Sequence, residues 1–456
     1  MSIVIKGGTV VSSHGRRQLD IRINGEKITE LGNGLSIADG EEVVDATGCF
    51  IFPGFIDGHT HLELNNGMTD TSDDFTTGSI AAVAKGTTTL IDMATPEHGG
   101  TLNECLITWN KMAEGKSSAD FNYHMSVIEW NENIAKEISE MVKKGVTTFK
   151  MYMAYDNLRT NDAELYEAMK IIKSVGGMLG VHCENGDVIN QLQAEYVKAG
   201  KTGPENHPLT RPNQLEAEAV NRYLTIAKQA NLAVNIVHLS TKEALEVVKR
   251  ARAEGQEVYV ETCPQYLLLD DEAYGLPNFE GAKYVCSPPL RKKADQEALW
   301  QGIIEGEVNT ISTDHCDFNF KDQKIIGKDD FTKIPGGMPG VESRPELVYT
   351  AGVAAGKITP ERFVELLSEN IAKQFDLYPQ KGIIQVDSDA DIVIWDPEAT
   401  GVISAKTQLQ HCDYTPFEGF QTKGKARSVY LRGNKVAENG EIISTKQGKF
   451  IFRKIT

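Results

Sequence analysis

Between residue 51 and about residue 375, apolar strand-like runs alternate with amphipathic helical patterns, and there are eight such runs. They are "FIDGHTHL" (55–62), "TTTLIDMA" (87–94), "FNYHMSVI" (121–128), "TTFKMYMA" (147–154), "MLGVHCEN" (178–185), "AVNIVHLS" (233–240), "VYVETCP" (258–264) and "NTISTDH" (309–315). The segments between them read as helices; "NDAELYEAMKIIKSVG" opens on an Asn-Asp cap and stops at glycine. A strand and a helix repeated eight times predict a parallel sheet closed as a (β/α)8 TIM-like barrel. A doubly wound open sheet is the competitor, and no GxGxxG follows the first strand to support it.

The two chain ends have a different texture. Residues 1–50 carry short alternating segments ("SIVIKGGTVV", "LDIRING", "EEVVDATG") separated by Gly-rich and Asn-Gly turns. The same texture returns in "DADIVIWDP" and "ARSVYLRGNKVAENGEIIS". A small β-sandwich built from 1–50 and 376–445, with the barrel of 51–375 inserted between, accounts for the echo. Residues 446–456 are left as a tail. Its "GKFIFRKIT" is basic and apolar within an acidic protein, which suits a subunit contact.

The formal net charge of −17 argues against nucleic acid and anionic membrane as partners. The N-terminal "MSIVIKGGTVVSSHG" has no basic segment followed by an apolar core, and no run approaches the roughly 20 apolar residues of a membrane helix. Seven cysteines are scattered without a CxxC pair, as expected of free, mostly buried thiols in a reducing compartment. A cytoplasmic protein is expected.

The ionisable residues fall where a barrel keeps its chemistry. His59 and His61 are two apart and share one face of the first strand. His182, His238 and Asp314 lie at the ends of the fifth, sixth and eighth, and Lys150 on the fourth. Each has an ordinary reading as a core polar group when taken alone. Together they are hard to explain that way, because each buried unpaired would cost roughly 1–3 kcal/mol. A shared divalent ion satisfies all of them, and imidazoles with a carboxylate suit Zn²⁺. Five ligands exceed one zinc, which points to two ions about 3.5–4 Å apart with an anionic bridge. The fourth strand, "VTTFKMYMAYD", offers only a lysine there. Either Lys150 is carboxylated by CO2 to a carbamate, or it is a lysine paired with a nearby carboxylate.

These residues, with "FPGFIDGHTHLE", "FKMYMAYD", "VHCEN", "IVHLS", "CSPPLR", "TDHCDF", "GMPGVESR" and "DADIVIWDP", resemble the hydantoinase and dihydropyrimidinase family, cyclic amidohydrolases of the binuclear amidohydrolase superfamily. The resemblance covers nearly the whole chain. It implies that His59, His61 and Asp314 hold one zinc and His182 and His238 the other, with N6-carboxylated Lys150 and a hydroxide bridging them. It favours the carbamate over the ion pair. It implies that Tyr155 polarises the scissile carbonyl and that Ser287 and Gly336 contact the ring amide through main-chain groups. Gly336 stands where the family usually has asparagine. The implied reaction opens a hydantoin or 5,6-dihydropyrimidine ring to an N-carbamoyl amino acid, with Asp314 shuttling the proton. A homotetramer is implied by resemblance alone.

Dihydroorotase, allantoinase and L-hydantoinase are the nearest alternatives, and a metal-free scaffold relative is the alternative from another class. Dihydroorotase-like enzymes usually carry arginine two residues after HxH; Glu63 stands there and is expected to repel an anionic ring. Among the remaining residues, His124 is expected in the barrel core, His315 off the site or behind its ligands, and His207 in a loop hydrogen bond. Glu129 and Glu261 are candidates for a place behind the ligands and are not counted among the site residues.

Overall fold

The computed structural model describes residues 2–455; Met1 and Thr456, the outermost residues of the first and last predicted segments, lie outside it. All eight predicted strands form. They are β1 (Phe55–Thr60), β2 (Thr87–Ala94), β3 (Asp120–Ser126), β4 (Thr148–Tyr152), β5 (Met178–His182), β6 (Val234–Ile236), β7 (Val258–Thr262) and β8 (Thr310–Ile311). They lie in one sheet in sequence order, each pair of neighbours parallel. The helix after β4 spans Asp162–Ser174, and its start is a reciprocal capping box between Asn161 and Glu164.

The last seam is closed by other means. His61 N–H donates to the carbonyl of His315 (2.8 Å), and Thr60 bridges His315. At the other end of the seam, the fully buried Arg344 donates to Ile56 O (2.7 Å) and Ile311 O (2.8 Å), one acceptor on each flanking strand. A guanidinium has five donors in a rigid fork, so it can satisfy two strands that do not pair directly.

The strands are shorter than the apolar runs at β6 and β8, and the reason bears on function. Regular pairing stops at Ile236 and Ile311, and the chain then turns so that His238 (φ +40°) and Asp314 (φ +53°) sit in left-handed conformations. Such strain in non-glycine residues persists only where surrounding structure enforces it, commonly at functional sites.

Both chain ends build the flanking sheets. A seven-stranded sheet joins Gly15–Gln18, Thr9–Ser12 and Phe50–Pro53 to Ile392–Val402, Gln421–Leu431, Asn434–Glu438 and Glu441–Ile442. A four-stranded sheet contains Ser2–Lys6, Asp20–Asn24, Lys27–Gly32 and Glu42–Asp45. The two share an apolar core that includes Ile5, Ile21, Ile23, Ile51, Ile392 and Tyr430. This sandwich is pinned to the barrel by charge: the buried Lys381 Nζ meets Asp120 (2.6 Å), Asp391 (2.7 Å) and Asp389 (3.0 Å).

The tail docks on its own barrel. Phe121 N–H donates to Lys449 O (3.0 Å), Ile451 N–H to Phe121 O (2.9 Å), and Arg453 is fully buried against Tyr123 O. Residues 449–453 are thus largely spent within the chain, although Phe452 stays half-exposed. All seven cysteines are free and buried. No helix among the described residues is long and apolar enough to cross a membrane.

Candidate metal centre

Of the nine residues singled out from sequence, eight line one cavity of about 450 Å³ at the C-terminal end of the barrel strands: His61, Lys150, Tyr155, His182, His238, Ser287, Asp314 and Gly336. The ninth, His59, is fully buried behind them. The side chains fall into two facing groups. In one, Asp314 Oδ1 lies 3.1 Å from His59 Nε2 and 3.1 Å from His61 Nε2. In the other, His182 Nδ1 lies 3.1 Å from His238 Nε2. The rings of His59 and His238, 5.5 Å apart, join the groups.

Which nitrogen faces inward follows from the outer partner. Glu261 Oε1 lies 2.7 Å from His59 Nδ1 and also accepts the His238 N–H (3.1 Å). His59 Nδ1 therefore carries the ring proton, and its Nε2 lone pair points inward with no hydrogen-bond partner despite complete burial. In the same way Glu184 Oε2 lies 2.8 Å from His182 Nε2, leaving His182 Nδ1 as the inward lone pair. Arg211 donates to the same Glu184 oxygen (2.5 Å). Burial works against the charge on Glu184, but Arg211 and then His182 outweigh it and hold the carboxyl down at about 2. Carboxylates behind metal-bound imidazoles fix tautomer and raise ligand basicity.

The ionisation states suit cations. Burial lowers the pKa of His61 and His182 and drops that of His238 well below the ordinary value, keeping the rings neutral. Burial opposes charge on Asp314 too, but His59 and His61 hold it below the usual carboxylate range. Lys150 projects from β4 into the cavity. Burial lowers its amine to about 8 against the pull of Asp314 and Glu261, and no carboxylate pairs with it among the described residues. A partnerless inward lone pair on His59, a second on His182 that meets only the His238 ring, a carboxylate between His59 and His61 and a largely unpaired amine fit a set of divalent cations. His59, His61 and Asp314 alone bring three ligand atoms within 4.8 Å of one another.

Tyr155 follows β4 in a left-handed conformation (φ +69°), its ring centroid 4.9 Å from that of His182. His124, His207 and His315 stand outside the metal centre, as expected. His124 donates Nε2–H to Gly58 O (2.9 Å) and accepts from Thr148 (2.6 Å) in the core, and His207 donates to Cys286 O (2.8 Å). The ring of His315 turns away from the centre to Asp73 (3.2 Å) and Asp317 (3.3 Å). Those three also gather closely enough to hold an ion. However, the Gly340 N–H occupies the His315 Nδ1 lone pair (3.0 Å), so Nε2 carries the proton and cannot ligate.

Of the two glutamates, Glu261 has a position at the site, on His59, while Glu129 is half-buried and pairs with His98 (2.7 Å). One expectation needs correction. Glu63 does not repel ligands in the cavity: its left-handed backbone (φ +55°) turns the side chain away, 4.0 Å from Lys116. Any case against an anionic ring therefore rests on the missing arginine, not on the carboxylate. Glu184 and Arg211 escaped the sequence reading. The signal for Glu184 was its spacing, two residues after His182 in extended chain.

Comparison with known proteins places the chain in a family. The profile of the Amidohydrolase family matches residues 50–436. The chain is 43% identical to a D-hydantoinase of Geobacillus stearothermophilus over 445 residues, 97% of this chain and 94% of the relative. It is 41% identical to a D-hydantoinase of Ralstonia pickettii over 456 residues, covering 100% and 99%. The crystal structure of dihydropyrimidinase from Brevibacillus agri NCHU1002 superposes with a TM-score of 0.98 at 41% identity, covering 100% of this chain and 99% of that one. The chain belongs to the amidohydrolase family, in its hydantoinase and dihydropyrimidinase branch, and is a hydrolase of the cyclic amide class.

Proposed function

We propose that this enzyme opens a hydantoin or 5,6-dihydropyrimidine ring by hydrolysis, releasing an N-carbamoyl amino acid, and that it does so in the cytoplasm. The observation that carries the reading is the pairing of inward imidazole lone pairs with carboxylates behind them, His59 with Glu261 and His182 with Glu184. His59, His61 and Asp314 would hold one divalent ion, zinc by ligand type, and His182 and His238 a second. Lys150, carboxylated by CO2, would bridge them; an unpaired amine lowered to about 8 is the starting point that reaction needs. Such ions, when bound, supply a Lewis acid for the ring carbonyl and acidify the attacking water.

The protein's own groups do the rest. Asp314 accepts the proton of the attacking water at its carboxylate. As the C–O bond forms, the Tyr155 hydroxyl donates a hydrogen bond to the carbonyl oxygen, where negative charge collects. Asp314 then returns the proton to the ring nitrogen as the C–N bond breaks. Main-chain groups of Ser287 and Gly336 hold the ring amide in register. Both curated relatives reported above are named D-hydantoinase, and we assign the same hand here.

The test is a ring-opening panel on the metal-loaded enzyme, with and without chelator: dihydrouracil, D- and L-5-substituted hydantoins, dihydroorotate and allantoin. Chelator-sensitive opening of dihydrouracil or the D-hydantoins is expected. Turnover confined to dihydroorotate or allantoin would refute the substrate assignment, and turnover confined to L-hydantoins would refute the hand.

A further inference from the structure

Lys324 is a fully buried lysine, and none of the chemistry above uses it. It opens a short helical turn (Lys324–Gly327) in the long segment after β8. Its Nζ donates three hydrogen bonds, to the carbonyls of Val285 (2.9 Å), Pro335 (2.7 Å) and Gly337 (2.7 Å). An ammonium has three donors, so all are used. No carboxylate forms an ion pair with it among the described residues. Burial lowers its amine to about 8, which leaves it charged at neutral pH. A buried charge of this kind is costly unless coordinated, and here three peptide dipoles coordinate it much as they would a small cation.

The three carbonyls belong to two cavity-lining segments. Pro335 and Gly337 flank Gly336, and Val285 precedes Ser287 by two residues; Ser287 and Gly336 both line the cavity. The segments also meet directly, Gly337 N–H donating to Val285 O (2.9 Å). Around the second one, Gly337 has φ +145°, Cys316 N–H donates to Met338 O (3.2 Å) and Gly340 N–H donates to His315 Nδ1 (3.0 Å). Without the ammonium, three buried carbonyl oxygens would converge on one point and repel.

We propose that Lys324 is a positioning residue for ring-amide recognition, a cationic pin that sets the main chain of Ser287 and Gly336 at the spacing the substrate amide requires. It touches neither residue's reading groups and lies outside the metal centre. The proposal rests on the cyclic-amide reading above for its substrate, but its structural half can be tested without turnover.

The experiment compares the zinc-loaded enzyme with Lys324→Met and Lys324→Gln in two readouts. The first is hydrogen exchange of the ligand-free proteins. Peptides covering 285–288 and 335–340 should exchange about tenfold faster in Lys324→Met, with β3 and β5 at wild-type rates and zinc content unchanged. The second is steady-state ring opening. KM should rise about tenfold or more, equally for hydantoin with and without a 5-substituent, with kcat within about threefold. Lys324→Gln, which keeps two donors, should fall between. Exchange unchanged in the two segments would overturn the proposal, as would faster exchange spread evenly over the barrel. Local exchange changes with unchanged KM would overturn it too, and so would failure of both variants to fold, leaving Lys324 a structural lysine. A local exchange effect in the variants of an enzyme whose wild type opens no ring would sink the substrate reading while keeping the pin.

Discussion

Lys150 offers the sharpest test of the metal centre. Its amine is lowered to about 8, burial being the cause and Asp314 and Glu261 opposing it. An exposed lysine titrates near 10.4. At pH 7 the buried residue is therefore neutral roughly one time in ten, against about one in 2,500 for an exposed one. The form that attacks CO2 is enriched about 250-fold by that shift. The sign is fixed by the direction: lowering the pH reprotonates the amine, leaving about one in a hundred neutral at pH 6, and raising it to pH 8 frees about half. Uptake of two ions by the apoenzyme should consequently need CO2 and should increase from pH 6 to pH 8. The assay is to strip the enzyme with chelator and reload it with zinc, in CO2-free buffer and in 13C-bicarbonate, at each pH. Zinc per chain is then counted by elemental mass spectrometry, and the carbamate carbon is sought by NMR. Two zinc ions per chain with full activity in CO2-free buffer would refute the reasoning. So would Lys150→Ala retaining both metals; that variant should instead lose metal and regain part of it with acetate.

Three further outcomes follow from the same geometry. Glu261→Gln keeps the volume but removes the charge behind His59, and should weaken zinc binding about 10–100-fold in competition with a chromophoric chelator. Tyr155→Phe should keep its zinc and lower kcat by about 10²–10³, the scale for losing one donor to a developing oxyanion. Lys381→Met leaves Asp120, Asp389 and Asp391 buried without their cation, and should cost about 3–5 kcal/mol, read as a lower urea midpoint.

The sequence was most legible where the governing interactions are local. Strand periodicity and helix caps act over a few residues, so all eight barrel strands could be placed, and "NDAELYEAMKIIKSVG" could be read as the helix Asp162–Ser174. Barrel topology then converts position along the chain into position in space, because every strand end arrives at the same face. That is why strand position and residue type were enough to single out His59, His61, Lys150, His182, His238 and Asp314. The ends of β6 and β8 were less legible, since pairing there yields to left-handed turns at His238 and Asp314.

What only the tertiary structure decided is where protons and charges sit. Glu261 lies 202 residues from His59, and no local pattern says that this carboxylate, not Glu129, fixes the ring's tautomer. Arg211 reaches Glu184 across a helix and two short turns, and Lys324 gathers carbonyls from two separate segments. Glu63 was assigned to the cavity by spacing and turned out of it by one positive φ angle. Side-chain type and strand parity are encoded locally. Hydrogen-bond partnership and the electric field at a buried group depend on every segment packed around it, and those meet only in the folded chain.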